Sequence, residues 1–354
     1  MNENIVCDGE VVIRELGALR RITLNRPKAL NAITFGMAET MTTFMRGWAE
    51  DPAVGTVMID GAGDRAFAAG GDIRAIYDAA KSGDALPARF WATEYRLNVL
   101  IARYPKPVVA IMDGLVMGGG VGLASHAAHR VVTERSSVAM PEVGIGFFPD
   151  VGVSFLLTRA HWELGTYLAL TGNRVGAQDA ILCGLGSPYI PAAHLNELPS
   201  LLADCRTRKD VWAALGKLET SPGRGKLIAA MDWMQRCFSG DTIENIVGAL
   251  SACSADGARE ALDAMRKASP TSLKITLRNL REAAKFERVE QSFQQDYRIA
   301  LACVAGHDFI EGIRAAIVDK DRNPVWHPAR LEEVTDDIVD RHFKSVGALE
   351  LQFP

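Results

Sequence analysis

The stretch GLVMGGGVGLASHAAHRVVTERSSVAMPEVGIGFFPD, residues 114–150, decides the reading of this chain. Three consecutive glycines, Gly118, Gly119 and Gly120, separate a short apolar run from residues 121–129, which have helical character. Glycine lets the backbone turn sharply and brings its N–H groups close to a ligand. A helix start also leaves amides without intrahelical partners, at the positive end of the helix dipole. Residues 130–133 and 137–140 then read as short strands, and Pro141 ends the second. Glu142 therefore stands at a strand end, and Asp150 follows behind Phe147, Phe148 and Pro149. Carboxyls in an apolar setting have raised pKa values and suit acid–base work.

A second glycine turn lies upstream, in GAGDRAFAAGGDIRAI, residues 61–76. Gly70 and Gly71 precede Asp72, which is placed to cap a helix running to about residue 80. If the two turns meet, one N–H from each could hold a single oxygen. Such a donor, aimed at a developing oxyanion, is worth about 3–4 kcal/mol.

Before that turn, residues 11–15 and 20–24 read as strands, and Pro27 stops the second from continuing. A helix over 35–50 carries Met37, Met41, Phe44, Met45 and Trp48 at helical spacing, a core stripe. Lys28 is either a solvated turn cation or a cation near a ligand phosphate. Residues 55–60 form a strand, and 88–103 a helix with Phe90, Leu97, Leu100 and Ile101 inward. Glu94 lies on that helix, where a lone glutamate is usually solvated. Residues 108–112 are a buried strand. The strand–turn–helix alternation gives an α/β class and runs to about residue 190. Residues 151–170 look largely helical, and from 191 onward helices with polar turns replace the alternation. They include a long pair over 270–305 and a last short helix over 336–343. The expected organisation is a core of 1–190 and a mainly helical region of 191–354.

The net charge of −4 announces no basic face for nucleic acid. No apolar run approaches the ~20 residues of a membrane-spanning helix. The first 17 residues are acidic and lack the pattern of a secretory or transit segment, and the six cysteines form no CxxC pair. Both features suggest a reducing, cytoplasmic setting. His307 and Glu311 sit four apart without an evident third ligand, so no metal is expected.

The motifs LNRPKALNAI, AFAAGGDIR, KPVVAIMDGLVMGGGVGL and MPEVGIGFFPDVG resemble the crotonase, or enoyl-CoA hydratase/isomerase, superfamily, in order and at familiar spacing. SPTSLKITLRNL, GHDFIEGIRAAIVDKDRNPVW and the final DRHF resemble its 3-hydroxyisobutyryl-CoA hydrolase branch. The resemblance implies a crotonase-like spiral of ββα units with a helical C-terminal region and an acyl-CoA lying across it. It implies an oxyanion hole from the amides of Gly71 and Gly119. It lines the adenine and pantetheine with Lys28, Ala29, Leu30, Ala69, Gly70, Gly71, Asp72 and Ile73, Lys28 being near a CoA phosphate. Glu94, Gly119, Glu142 and Asp150 would hold the substrate, with Glu142 and Asp150 catalytic. The implied reaction is hydrolysis of a short 3-hydroxyacyl-CoA of valine breakdown, with no cofactor beyond the substrate's own CoA.

One departure separates the branches. Hydratases of the superfamily place a glutamate two positions beyond the triple glycine. Here that position is Gly122, and losing one acid–base group typically removes ~10²–10⁴ of rate. Hydration or isomerisation of an enoyl-CoA is thus an alternative, as is a catalytically silent CoA-ester-binding protein. Superfamily members commonly form trimers or hexamers, and the extra C-terminal helices would shield the usual contact surface, which leaves a homo-oligomer open.

Overall fold

The computed structural model describes residues 4–7 and 9–353, with backbone alone for 4–7. Parts of the acidic N-terminal stretch and the Cys7 side chain therefore lie outside the described residues. The other cysteines, Cys183, Cys205, Cys237, Cys253 and Cys303, are free thiols.

The strands are β1 (Asn4–Cys7), β2 (Val11–Leu16), β3 (Leu19–Leu24), β4 (Thr56–Gly61), β5 (Ala66–Ala68), β6 (Val108–Met112), β7 (Leu115–Met117), β8 (His129–Val132) and β9 (Ser137–Ala139). They build a six-stranded sheet in the order β1-β2-β3-β4-β6-β8 and a three-stranded sheet in the order β5-β7-β9. β1, β2 and β3 pair antiparallel, whereas β3, β4, β6 and β8 run parallel. Parallel strands are covered on both faces, which explains the unbroken apolar runs of β4 and β6: Val57, Met58, Ile59, Val108, Val109, Ala110 and Ile111 are all buried.

The chain divides into two compact units that interleave along the sequence. The first comprises residues 1–71, 96–138 and 175–225, and the second 72–95, 139–174 and 226–354. These units do not follow the split at 190 drawn from the sequence, because contact in space, not chain order, defines them.

In the first unit the Phe35–Glu50 helix starts at Thr34, whose hydroxyl accepts the Met37 N–H at 3.1 Å. Met37, Met41, Met45 and Trp48 form its buried face. The helix after the triple glycine spans Gly119–Ser125, not 121–129. The glycines themselves start it, with Gly118 at φ 49°, and His129 is drawn into β8 by pairing with Val109. The close fit at Gly120 explains why no side chain stands there: a Cβ would run into the Ala68 carbonyl of β5.

The second unit is mainly helical. The expected helix over 151–170 is two, Val153–Leu157 and Leu164–Thr171. Trp162 and Glu163 between them adopt left-handed backbone, φ 63° and 55°, which no right-handed helix can contain. The long pair is present as Pro270–Ala283 and Val289–Val304. Ser269 caps the first with its hydroxyl on the Ser272 N–H, and Pro270 sits where its missing N–H is harmless.

Gly120→Ala should destabilise the protein by about 1–3 kcal/mol or more, since backbone must move to admit the methyl. Gly47→Ala, in the Phe35–Glu50 helix with nothing within 4 Å of the added carbon, should instead gain about 0.5–1 kcal/mol. Thermal melts of the two variants should move in opposite directions.

Candidate active site

In the first unit the two glycine turns meet. β5 and β7 pair in parallel, so the turns that leave their C-terminal ends are neighbours. A Cβ on Gly70 would lie 3.6 Å from the Met117 carbonyl, and Gly120 rests on Ala68. Gly70 has φ 107° and Gly118 φ 49°, backbone that a side chain would strain. Among the described residues, neither the Gly71 nor the Gly119 amide donates a backbone hydrogen bond.

The segment 28–30 joins the same region. Ala69 N–H donates to the Leu30 carbonyl at 3.0 Å, and Ile33 N–H to the Gly70 carbonyl at 2.9 Å. Asn31, fully buried, donates to the Ala66 and Ala62 carbonyls at 2.8 and 3.0 Å. Lys28 and Ala29 lie on an exposed 3₁₀ turn, Pro27–Ala29, where Lys28 has no ion-pair partner among the described residues. Gly71 is half-buried.

In the second unit Asp72 caps the Ile73–Ser82 helix, accepting the Ala75 N–H at 3.3 Å. Ile73, the first residue of that helix, is half-buried. The three candidate acids, all in this unit, are buried: Glu94 is 2% exposed, Glu142 6% and Asp150 5%. For Glu94 this overturns the solvated reading that its helix position alone suggests. Glu142 does not end a strand directly; it opens a 3₁₀ turn, Glu142–Ile145. That turn is fixed by close backbone approach, because a Cβ on Gly146 (φ 70°) would strike the Asp308 carbonyl. Aromatic rings keep the surroundings dry. Phe147 stacks on Trp91 with centroids 5.3 Å apart and touches Phe148 and Phe309 at 4.8 and 5.3 Å.

Burial raises the pKa of every acid here, since a charged carboxyl loses water that apolar neighbours do not replace. Asp150 is pushed up to about 7 by burial, against the opposing hydrogen bonds from Tyr95 and from the Asp150 and Val151 amides. The Tyr95 hydroxyl donates to Asp150 Oδ2 at 2.6 Å. Glu142 is raised well above its ordinary range by burial first, then by the charges of Asp150 and Glu94. Glu94 is raised likewise by burial and by Asp150. Glu94 Oε1 and Glu142 Oε2 are buried with no hydrogen-bond partner. These oxygens have hydrogen-bonding capacity that no protein group satisfies.

Two contributors escape the motif-level reading. Tyr95 is the only side chain that hydrogen-bonds Asp150 among the described residues. Asp296, fully buried on the Val289–Val304 helix, accepts the Gly152 N–H at 2.7 Å. The available signal was an aspartate on the inward stripe, three residues after Phe293. Val151 between Asp150 and Gly152 has φ 54°, an unusual state for a β-branched residue and one that costs about 1–3 kcal/mol. No cluster of three or more His, Cys, Asp or Glu with metal-holding geometry is found among the described residues. No helix there is long and apolar enough to cross a membrane.

Comparison with known proteins gives the family of the chain. The sequence model of the enoyl-CoA hydratase/isomerase family matches residues 19–343. The 3-hydroxyisobutyryl-CoA hydrolase, mitochondrial, of Gallus gallus is 41% identical over 350 residues, covering 97% of this chain and 91% of that protein. The crystal structure of a carnitinyl-CoA dehydratase from Mycobacterium thermoresistibile superposes with TM-score 0.93 at 44% identity, covering 98% of this chain and 99% of that one. That of an enoyl-CoA hydratase from Rhodobacter sphaeroides 2.4.1 gives 0.91 at 40% identity, covering 98% and 100%. The cytoplasmic expectation is corrected by the first of these, whose name places that hydrolase in the mitochondrion. Composition over the first 17 residues does not fix a compartment.

Because the folded Asp150 binds its proton more tightly than an unfolded aspartate, its contribution to stability is present below about pH 4 and lost as pH rises towards 7. Asp150→Asn removes that loss and relieves its acidic neighbours in the same direction. The variant's Tm, relative to the parent, should therefore be higher at pH 8 than at pH 5 by a few °C, on the order of what 1–3 kcal/mol gives a chain of this size. Equal differences at the two pH values would show that Asp150 does not ionise in this window.

Proposed function

The chain belongs to the enoyl-CoA hydratase/isomerase family, and from that premise we propose that it hydrolyses a short 3-hydroxyacyl-CoA thioester, 3-hydroxyisobutyryl-CoA, to free CoA and the 3-hydroxy acid. Its place would then be in valine breakdown. The observation that carries the reaction type is where the acids stand. The Gly119–Ser125 helix carries no carboxylate, with Gly122 at the decisive position, whereas Asp150 supplies a second buried acid alongside Glu142.

The thioester carbonyl oxygen accepts the Gly71 and Gly119 N–H groups, which stabilise negative charge as the carbonyl becomes tetrahedral. Glu142 delivers the attacking oxygen, either from a water that it deprotonates or from its own carboxylate through a mixed anhydride that water opens. Collapse breaks the C–S bond, and the leaving thiolate takes a proton. Asp150 orients the substrate's 3-hydroxyl or passes that proton. Glu94, with its buried unpaired oxygen, supports the polar end of the acyl group. The segments 28–30 and 69–73 line the CoA, with the exposed Lys28 near a phosphate.

The relatives named hydratase and dehydratase make addition or loss of water the competing reading for this fold. A thiol-release assay on 3-hydroxyisobutyryl-CoA, run beside an enoyl-absorbance assay on crotonyl-CoA, separates the two. Thiol release without change in the enoyl band is expected; the reverse pattern overturns the proposal.

Glu142→Gln should lower kcat by roughly 10²–10⁴ with CoA-ester affinity nearly intact. Unchanged turnover would remove Glu142 from the chemistry. Where Asp150 orients the 3-hydroxyl as a carboxylate, kcat/KM should rise with pH through about 7. Asp150→Asn should abolish that inflection.

A further inference from the structure

We propose that Asp296 is a positioning residue for the reaction, holding the turn that aims Asp150 from the Val289–Val304 helix. The proposal rests on the reading of Asp150 as part of the working site. Its basis is a pair of neighbouring rows on that one helix. Ser292 and Asp296 are four residues apart and so share a stripe, as do Phe293 and Tyr297 beside them.

The first row grips the backbone that follows Asp150. Asp296 Oδ2 accepts the Gly152 N–H at 2.7 Å, and Ser292 Oγ lies 2.8 Å from Ser154 Oγ. The second row grips the side chain that holds the Asp150 carboxyl. Phe293 and Tyr297 lie against Tyr95 with ring centroids 5.5 and 6.5 Å away, and Tyr95 donates to Asp150 Oδ2. One helix thus sets both the main chain behind Asp150 and the hydrogen bond in front of it.

The backbone explains why an acceptor is needed. Val151 and Gly152 are consecutive left-handed residues, φ 54° and 69°, and the Gly152 amide is turned inward. Without an acceptor that buried N–H would be orphaned, and the turn would relax to recover a partner. Asp296 is itself fixed. Asn279 Nδ2 donates to its Oδ1 at 3.2 Å, and Gln295 Nε2 donates to Asn279 Oδ1 at 2.7 Å. All three side chains are buried, at 0%, 1% and 6% exposure, so the chain of bonds has no water to exchange with. Asp296 does not touch the reacting atoms; it acts through Asp150.

The titratable groups around Asp150 are Glu94 and Tyr95 on the Leu86–Ala102 helix, Glu142 on its 3₁₀ turn, and Asp296 and Cys303 on the Val289–Val304 helix. Each of them interacts with the Asp150 charge. A displaced Asp150 therefore changes its ionisation as well as its aim.

The test is a double-mutant cycle on thiol release by the full-length enzyme, with kcat, KM and the pH profile measured for Asp296→Ala, Asp150→Asn and the double variant. Asp296→Ala should lower kcat about tenfold or more, leave KM within about threefold, and move the pH inflection that Asp150 produces. In the Asp150→Asn background the same change should cost no further turnover, since residues acting as one unit are not additive. Asp296→Asn keeps an acceptor for the Gly152 N–H and should retain kcat within about threefold. Asp296→Leu, similar in shape without an acceptor, serves as the deleterious arm should the alanine variant not fold.

Full kcat in folded Asp296→Ala or Asp296→Leu overturns the proposal. So do losses that multiply in the double variant, which would mark a general structural role. Unchanged turnover in Asp150→Asn alone would defeat the functional reading of Asp150 and this inference with it. That failure is read from the single Asp150 variant and is distinct from a failure of the Asp296 arm.

Discussion

Glu94, Glu142, Asp150 and Asp296 are buried carboxyls of the second unit, and among the described residues no cation pairs with any of them. A lone ionised carboxylate in a dry interior is too costly to persist, so such a group keeps its proton or gathers hydrogen bonds. The protein does both, in graded fashion. Asp150 takes the Tyr95 hydroxyl and two backbone amides and ionises near 7. Asp296 takes the Gly152 amide and Asn279. Glu142 has only its own backbone to lower it, and Glu94 has no compensating hydrogen bond. Asp150 thus gathers the most hydrogen bonds of the four, while the two glutamates each keep one oxygen without a partner.

That grading requires water to be kept out and Asp150 to be held still. The helices after residue 226 do both within their unit. Phe309 closes on Trp91 and Phe147, and Phe293 closes on Tyr95. The Gly146–Asp308 and Gly312–Ile145 approaches leave no room even for a methyl group, which locks the turn bearing Glu142 against the His307–Ile313 helix. A dry, rigid surround raises the pKa of Asp150, and within it the hydrogen bond from Tyr95 counts strongly in the opposite direction.

Local chemistry made much of this legible. Asp72 caps the helix that follows it, as its place after the glycines leads one to expect, and the glycine turns at 70–71 and 118–120 announce themselves by residue type. The acids of residues 142–150 stand out because proline and phenylalanine surround them. What remained hidden depends on distant partners. Glu94 looks like a surface residue until the aromatic side chains of residues far along the chain are packed around its unit. The break at residues 158–163 carries no glycine or proline to mark it; it rests on the left-handed Trp162 and Glu163. Asp296 could be read as a polar residue on an apolar stripe, but its partner, a backbone amide 144 positions earlier, has no sequence signature.

The two halves of the proposed chemistry differ in kind, and the difference bears on how one fold serves several reactions. Backbone amides do not titrate, and their direction is fixed by β5, β7 and the glycines that leave them. The stabilisation that they would offer an oxyanion on the proposed reading is then insensitive to pH and to side-chain substitution. Acids are the opposite: each has a pKa set by neighbours, and moving one carboxyl by a few positions changes which atom it can reach. Relatives more than 40% identical to this chain are named for hydrolysis and for loss of water. On the proposed reading, an electrophilic half made of backbone and an acidic half made of side chains would let one fold serve both kinds of reaction. In this chain the Gly119–Ser125 helix carries no acid, Asp150 is a buried acid elsewhere, and a helix from the far end of the sequence hydrogen-bonds the backbone and side chain just after it.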